Sequence, residues 1–375
     1  MPTKNAKPED SSAFKHFYNK AYLKRLGKSL AAVHPEFKEA DLVKLEHDLN
    51  KLEMKARVHL IRDHLAVSLP ADFKKTVRLL KEATKNSALS GFELWPITEY
   101  VQRHGLQHPE ISLEALKYLT PLFTAEFAVR PFISHHQDLT MEFLLKCSVS
   151  DDHHVRRWAS EGSRSRLPWG ERLHAFIKKP ELTYGILDNL KYDESMYVRK
   201  SVANHLNDIS KDNPDKVIQK LSEWQKQAPP EHQDKITWII KHALRSLIKA
   251  GDPKALKLIG VNSGAKVQVA DFKISGKQFQ LGDRLEFEFT VKSDANKDQK
   301  LVIDYIIHFV KANKKTAPKV FKLKNVNLPA KGELKIAKSH HLKRVTTRTF
   351  YPGQHAIEIQ INGAKVGKKD WKLKV

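Results

Sequence analysis

Asp151-Asp-His-His-Val-Arg-Arg-Trp-Ala-Ser-Glu-Gly162 and Asp193-Glu-Ser-Met-Tyr-Val-Arg-Lys-Ser-Val-Ala-Asn-His-Leu-Asn-Asp208 are look-alike stretches. In each, acidic residues precede a valine-arginine-basic triplet, Val155-Arg156-Arg157 and Val198-Arg199-Lys200, with the valines 43 residues apart. Acidic residues ahead of an apolar-periodic run signal the start of a helix. Internal similarity at about 40–47 residues marks HEAT-type helical repeats, which stack into a curved solenoid. Charged residues off the apolar stripe then line one concave surface, where an extended ligand can lie.

The charge balance names the ligand to test first. The chain has 375 residues, with 66 Lys and Arg against 43 Asp and Glu, a net of +23. Such an excess favours polyanions, whether nucleic acid or an anionic membrane surface. No apolar run approaches the ~20 residues of a membrane span, and the first fifteen residues lack the apolar core of a secretory signal. They read as a short arm leading into the first helix. Cys147 is the single cysteine, which excludes an internal disulfide framework and a cysteine-based zinc site. A reducing cytosol fits these features.

Around the repeats, residues 13–259 are helical in pattern, with apolar residues at spacings of three and four, as in Leu42, Leu45, Leu49 and Leu52. Turn signals separate the helices at Leu69-Pro70, His108-Pro109, Asn213-Pro214 and Pro229-Pro230. The last strong helix spans roughly 234–249, where Gly251-Asp252-Pro253 stops it. Beyond Gly260 the period changes to two, as in Arg284-Leu-Glu-Phe-Glu-Phe-Thr-Val and His355-Ala-Ile-Glu-Ile-Gln-Ile-Asn. Seven short strands in about 115 residues predict an immunoglobulin-like β-sandwich without its disulfide. The expected architecture is therefore a HEAT-like α-helical solenoid over residues 1–260 followed by a β-sandwich over 261–375. The second part holds 24 Lys and Arg against 10 Asp and Glu, so +14 of the net charge sits in under a third of the chain. It is expected to be a second polyanion-binding surface, and a chain cut near Ile259 is expected to fold on its own.

The second repeat carries an apolar stripe of Val198, Val202, Leu206 and Ile209, and a separate stripe of Lys200, Asn204 and Asp208. Matching offsets in the first repeat give Arg157, Glu161 and Ser165. Stacking the repeats brings Glu161 and Asp208 to neighbouring helices on one polar face. Upstream, Glu126 and Arg130 repeat the acid–base spacing just before Pro131, which is expected to end or kink that helix. Carboxylates repel DNA, so three of them in a basic groove require a reason. One is structural: Glu126–Arg130 and Arg157–Glu161 have the i,i+4 spacing of ordinary helical pairs, worth a few tenths of a kcal/mol each, roughly. The other is glycosidic chemistry, in which a carboxylate stabilises the positive charge that builds on the sugar and orients water. Spacing alone does not decide between them.

Trp158 reads as a core residue. Trp169, at a Pro-Trp-Gly break, is free either to stack on a base or sugar or to pack between repeats. Arg164 and Arg166 beside it suit phosphates, and Lys241, Arg245 and Lys249 form a basic stripe at spacing four. The histidine pairs His135-His136, His153-His154 and His340-His341 lack an accompanying metal-ligand motif. No Gly-rich phosphate loop, HExxH or GxSxG is present. No metal or cofactor is expected.

The segments Thr124-Ala-Glu-Phe-Ala-Val-Arg-Pro-Phe-Ile, Asp152-His-His-Val-Arg-Arg-Trp-Ala-Ser-Glu-Gly, Leu167-Pro-Trp-Gly, Val198-Arg-Lys-Ser-Val-Ala-Asn-His-Leu-Asn-Asp-Ile and Trp238-Ile-Ile-Lys-His-Ala-Leu-Arg occur in this order. Together they resemble the AlkC branch of the HEAT-like-repeat alkylpurine DNA glycosylases, over nearly all of residues 15–260. One subgroup of that branch carries a basic C-terminal immunoglobulin-like domain, matching residues 261–375. The resemblance implies excision of N3-methyladenine and related cationic bases from duplex DNA by a monomer. It implies catalytic carboxylates at Glu126, Glu161 and Asp208, with Trp169 beside the lesion. The residues expected to grip DNA are Arg156, Arg157, Arg164, Arg166, Lys200, Lys241 and Arg245 in the helical part. In the β part they are Lys314, Lys315, Arg344 and Arg348. The related AlkD branch uses a Trp/Asp/Trp cleft, and its tolerance of bulky lesions is not implied here. A non-catalytic helical scaffold would need the same lysines and arginines but would be indifferent to Glu161 and Asp208. An RNA-binding factor is disfavoured, because aromatic–basic RNA motifs are missing.

Overall fold

The structure is a computed structural model that describes residues 14–85, 89–345 and 348–375. Residues 1–13 of the predicted N-terminal arm, and Thr346-Thr347 between Arg344 and Arg348, lie outside the described residues. Among those described, seventeen α-helices precede eight β-strands, and helix gives way to strand between Leu258 and Val267.

The turn signals act as helix ends and starts. Pro109 and Pro214 open the helices Pro109–Leu119 and Pro214–Gln227, where a missing N–H costs nothing. Pro131 does the same. It sits in the first turn of the helix Arg130–His135, while Glu126 lies in the turn before it. The helix that Pro131 was expected to end is therefore a helix that it begins. The two look-alike stretches form the first repeat helix, His153–Gly162, and the second, Met196–Ile209. These pack side by side, burying Val155, Trp158 and Ala159 on one and Val198, Val202 and Leu206 on the other.

The predicted 234–249 helix is two, Gln233–Ala243 and Arg245–Ala250, broken at Leu244. Gly251 ends the second with φ 79°, and Asp252 caps a further helix, Pro253–Leu258. The two compact units of the chain divide between Ile209 and Ser210, so these last helices belong with the strands. Leu256 and Val261 pack on Val302 in a buried cluster that Ile248 and Ile259 flank. Asn362 donates to the carbonyl of Asn262 at 2.7 Å, and Gln360 donates to that of Lys249 at 3.0 Å. Gly251 approaches Gly363 so closely that a Cβ on Gly251 would lie 2.5 Å from its Cα. A cut near Ile259 would separate these partners, so the helical part is not expected to end cleanly there.

The strands are β1 Val267–Ile274, β2 Gln278–Gln280, β3 Arg284–Ser293, β4 Gln299–Val310, β5 Thr316–Leu328, β6 Glu333–His341, β7 Gly353–Ile361 and β8 Ala364–Lys374. One sheet has the order β1-β3-β6 and the other β2-β8-β7-β4-β5. All pairings are antiparallel except that of β2 with β8. Inward residues such as Phe287, Phe289, Ile303, Ile357 and Trp371 fill the space between the sheets. The strand missing from the sequence reading is β2, three residues long and too short to show a period.

Candidate active site

The first repeat helix starts at Asp152, whose carboxylate accepts from the backbone N–H of His154 at 2.7 Å. Its apolar side faces the core, which sends Arg157 and Glu161, one turn apart, along the other side. Asp208 falls in the last turn of the second repeat helix. Tertiary packing then joins groups that are distant in sequence. Arg157 pairs with Glu126 and lies 3.5 Å from Glu161. Arg164 bridges the next gap, at 2.5 Å from Glu161 and 2.6 Å from Asp208. The result is one row of alternating charge, Glu126–Arg157–Glu161–Arg164–Asp208. The acid side chains are 11%, 7% and 3% exposed, respectively.

Neutral donors complete the row. Thr124 donates to Glu126 at 2.8 Å, and Ser201 donates to Glu161 at 2.6 Å. The Arg157 guanidinium lies over the ring of Tyr197, 4.8 Å from its centre. Burial raises the carboxyl pKa of Glu126 above its ordinary value, and Glu161 adds to this while Arg157 opposes it. Burial works against the charge on Arg164, but Glu161 and Asp208 outweigh it and raise its pKa. Behind the row, burial pushes His205 down to about 3, with Arg164 contributing, so it is neutral there.

The i,i+4 pairing of Glu126 with Arg130 does not form. Arg130 turns to main-chain carbonyls instead, those of Gly162, Arg164 and Glu171. Arg157 does approach its i+4 neighbour Glu161, but its shorter contact is with Glu126 across the packing. Trp158 is core and fully buried, whereas Trp169 is 76% exposed, with φ 66°.

The expected phosphate-contacting residues fall into two groups. Arg164 is buried between two acids. Arg156 holds Asp193 at 2.6 Å and donates to the carbonyls of Ser150 and Asp151, both at 2.8 Å. Arg199, its counterpart, donates to the carbonyls of Asp193 and Glu194. The repeated arginine thus clamps the loop before each repeat helix, a role that its recurrence in the sequence could have signalled. Arg166 is half-buried, Lys200 exposed and Lys241 exposed. Arg245 donates to the carbonyl of His242 at 2.6 Å, and the break at Leu244 takes it off the helix that carries Lys241. Lys314, Lys315 and Arg344 are exposed, the first two in the β4–β5 turn. Arg348 is half-buried, 3.8 Å over the Phe309 ring. Thr124, Tyr197 and Ser201 had no role in the sequence reading: Tyr197 and Ser201 meet Arg157 and Glu161 from 40 positions away, and Thr124 stands two residues before Glu126 in a turn that no period marks.

Among the described residues no group of three or more His, Cys, Asp or Glu could hold a metal ion, and no helix is long and apolar enough to cross a membrane. Burial pushes the Cys147 thiol up to about 12.

Residues 268–375 match the family described as the C-terminal Ig-like domain of the uncharacterised protein YhaZ. The chain is 38% identical to the uncharacterized protein YhaZ of Bacillus subtilis, over 96% of this chain and 99% of that protein. It superposes with a TM-score of 0.91 on the alkylpurine DNA glycosylase AlkC of Pseudomonas fluorescens, solved bound to DNA containing an abasic site analog. That match has 38% identity and covers 97% of this chain and all of that one. The chain belongs to the AlkC family, in the subgroup with a C-terminal immunoglobulin-like domain.

Proposed function

We propose that this protein is a DNA glycosylase that acts as a monomer in the bacterial cytosol. It would excise N3-methyladenine and related cationic alkylated bases from duplex DNA. The observation that carries this reading is the row of three carboxylates interleaved with two arginines. A cationic base needs no general acid in order to leave. What remains is to stabilise the oxocarbenium ion at C1′ and to orient water, which buried, fixed carboxylates do well because little reorganisation is needed. Glu126, Glu161 and Asp208 would supply that charge, and Arg157 and Arg164 would hold them in place.

Trp169 would stack beside the lesion. The acids are barely exposed and are bonded to one another's partners. On this reading the lesion is reached from the backbone side, without base flipping. No lysine takes part in the row, which favours a monofunctional enzyme. Lys200, Lys241, Arg166 and the basic residues of the β-sandwich would bind phosphates, the sandwich acting as a clamp. Methylated duplex DNA incubated with the protein should release free 3-methyladenine and leave abasic, unbroken strands. Tight binding without base release would replace this reading with that of a non-catalytic scaffold.

A further inference from the structure

The geometry points to Arg130 as a positioning residue, whose guanidinium fixes the segment from Gly162 to Glu171 that carries Arg164 and Trp169. The inference rests on the glycosylase reading of the carboxylate row and names what holds that row in register. Arg130 is wholly buried. Nη1 donates to the carbonyls of Gly162 and Arg164, both at 2.8 Å, and Nε donates to that of Glu171 at 2.9 Å. Nη2 also donates to the carbonyl of Glu171.

Among the described residues, every hydrogen bond of this cation goes to main chain. Placing a charge in the interior with no carboxylate hydrogen-bonded to it is costly, and burial lowers its pKa to about 10, with Glu171, Asp208 and Glu126 opposing from further off. It is still charged at neutral pH. The arrangement achieves closure: one planar fork grips both ends of a stretch that forms no regular helix, between Gly162 and the helix that begins at His174.

The chain also packs tightly on the arginine stem. A Cβ added to Gly170 would lie 3.1 Å from both Cδ and Nε of Arg130. The neighbouring residue, Trp169, holds a left-handed backbone, which L residues adopt rarely and only where their surroundings impose it. Arg130 thus sets two things together: the placement of Arg164 between Glu161 and Asp208, and the presentation of an exposed indole.

Two variants test this. Arg130→Lys keeps the charge but cannot span three carbonyls. Gly170→Ala pushes a methyl into the arginine stem and alters no charge. Three quantities are read for each: base release under single turnover with saturating methylated duplex, affinity for undamaged duplex, and acrylamide quenching of Trp169. The Trp169 signal is the difference between each protein and its Trp169→Phe counterpart.

Base release should fall roughly tenfold to a hundredfold in Arg130→Lys, and by a smaller factor in Gly170→Ala. Affinity for undamaged duplex should hold, and Trp169 quenching should change in both. Wild-type release in both variants would overturn the inference, as would losses that track only the unfolded fraction. If the native protein releases no base, the glycosylase reading fails separately. The Trp169 signal then decides alone, and unchanged quenching in both variants overturns the role of Arg130.

Discussion

The two repeat helices share a pattern and divide the labour within it. Arg156 and Arg199 stand at the same place and both grip the carbonyls five and six residues upstream, and Arg156 also holds Asp193. The next position differs. Arg157 turns into the carboxylate row, whereas Lys200 remains exposed. The acids differ too. Glu161 is contributed from the last turn of the first helix, and Asp208 from the last turn of the second, at a different offset from its valine. Residues that repeat build the scaffold, and residues that break the repeat build the candidate site.

The largest effect should come from Arg164, which has no counterpart in the second repeat. Arg164→Met leaves Glu161 and Asp208 as buried carboxylates without their shared cation. Removing one member of such a buried network costs on the order of 3–5 kcal/mol, readable as a drop in denaturant midpoint. An unchanged midpoint would mean that the acids are stable unpaired. Next come the paired clamps. Arg156→Ala and Arg199→Ala should each cost roughly 1–3 kcal/mol through the carbonyls left unsatisfied. Base release per folded molecule should be unchanged in both. A selective loss of release in Arg156→Ala would break the equivalence of the two arginines.

Arg157→Lys makes the first repeat read like the second. Arg157 lowers the carboxyl pKa of Glu126, against a larger upward push from burial. As proposed, Glu126 acts as an anion, so base release should fall as the pH drops through its raised pKa. In Arg157→Lys that fall should begin at somewhat higher pH, because lysine keeps a positive charge but loses the guanidinium's hydrogen bond to Glu126. A pH profile of single-turnover release reads this directly, and coincident acid limbs would remove Glu126 from the mechanism. The smallest effect is expected of Lys200→Ala: a uniform weakening of DNA binding and a salt slope reduced by about one charge. Release at saturation should be untouched. An unchanged slope would place Lys200 away from the phosphates.

The sequence carried the order of the two folds, because periods of 3.6 and 2 are local. It also isolated the three acids, because they stand out against a basic face. It could not say which arginine meets which acid. The i,i+4 rule favours Glu126 with Arg130, but the pair that forms, Glu126 with Arg157, spans 31 residues and exists only once the helices pack. Arg164 reads as a phosphate contact because its neighbours Arg166 and Trp169 are solvent-facing types. Its burial follows from Asp208, 44 residues away. The break at Leu244 carries no proline or glycine to announce it. The attachment of Pro253–Leu258 to β4 depends on Val302, which alternation alone marks only as part of a strand.

The central claim is that the charge on the acids breaks the glycosidic bond. Glu161→Gln keeps the shape of the side chain and removes its charge. Single-turnover release of 3-methyladenine from saturating methylated duplex should fall roughly a hundredfold to a thousandfold, the scale of losing one preorganised electrostatic contact. Affinity for the same duplex should hold or rise, since removing a negative charge lessens the repulsion of phosphates. Release at the wild-type rate, with binding intact, would contradict the account.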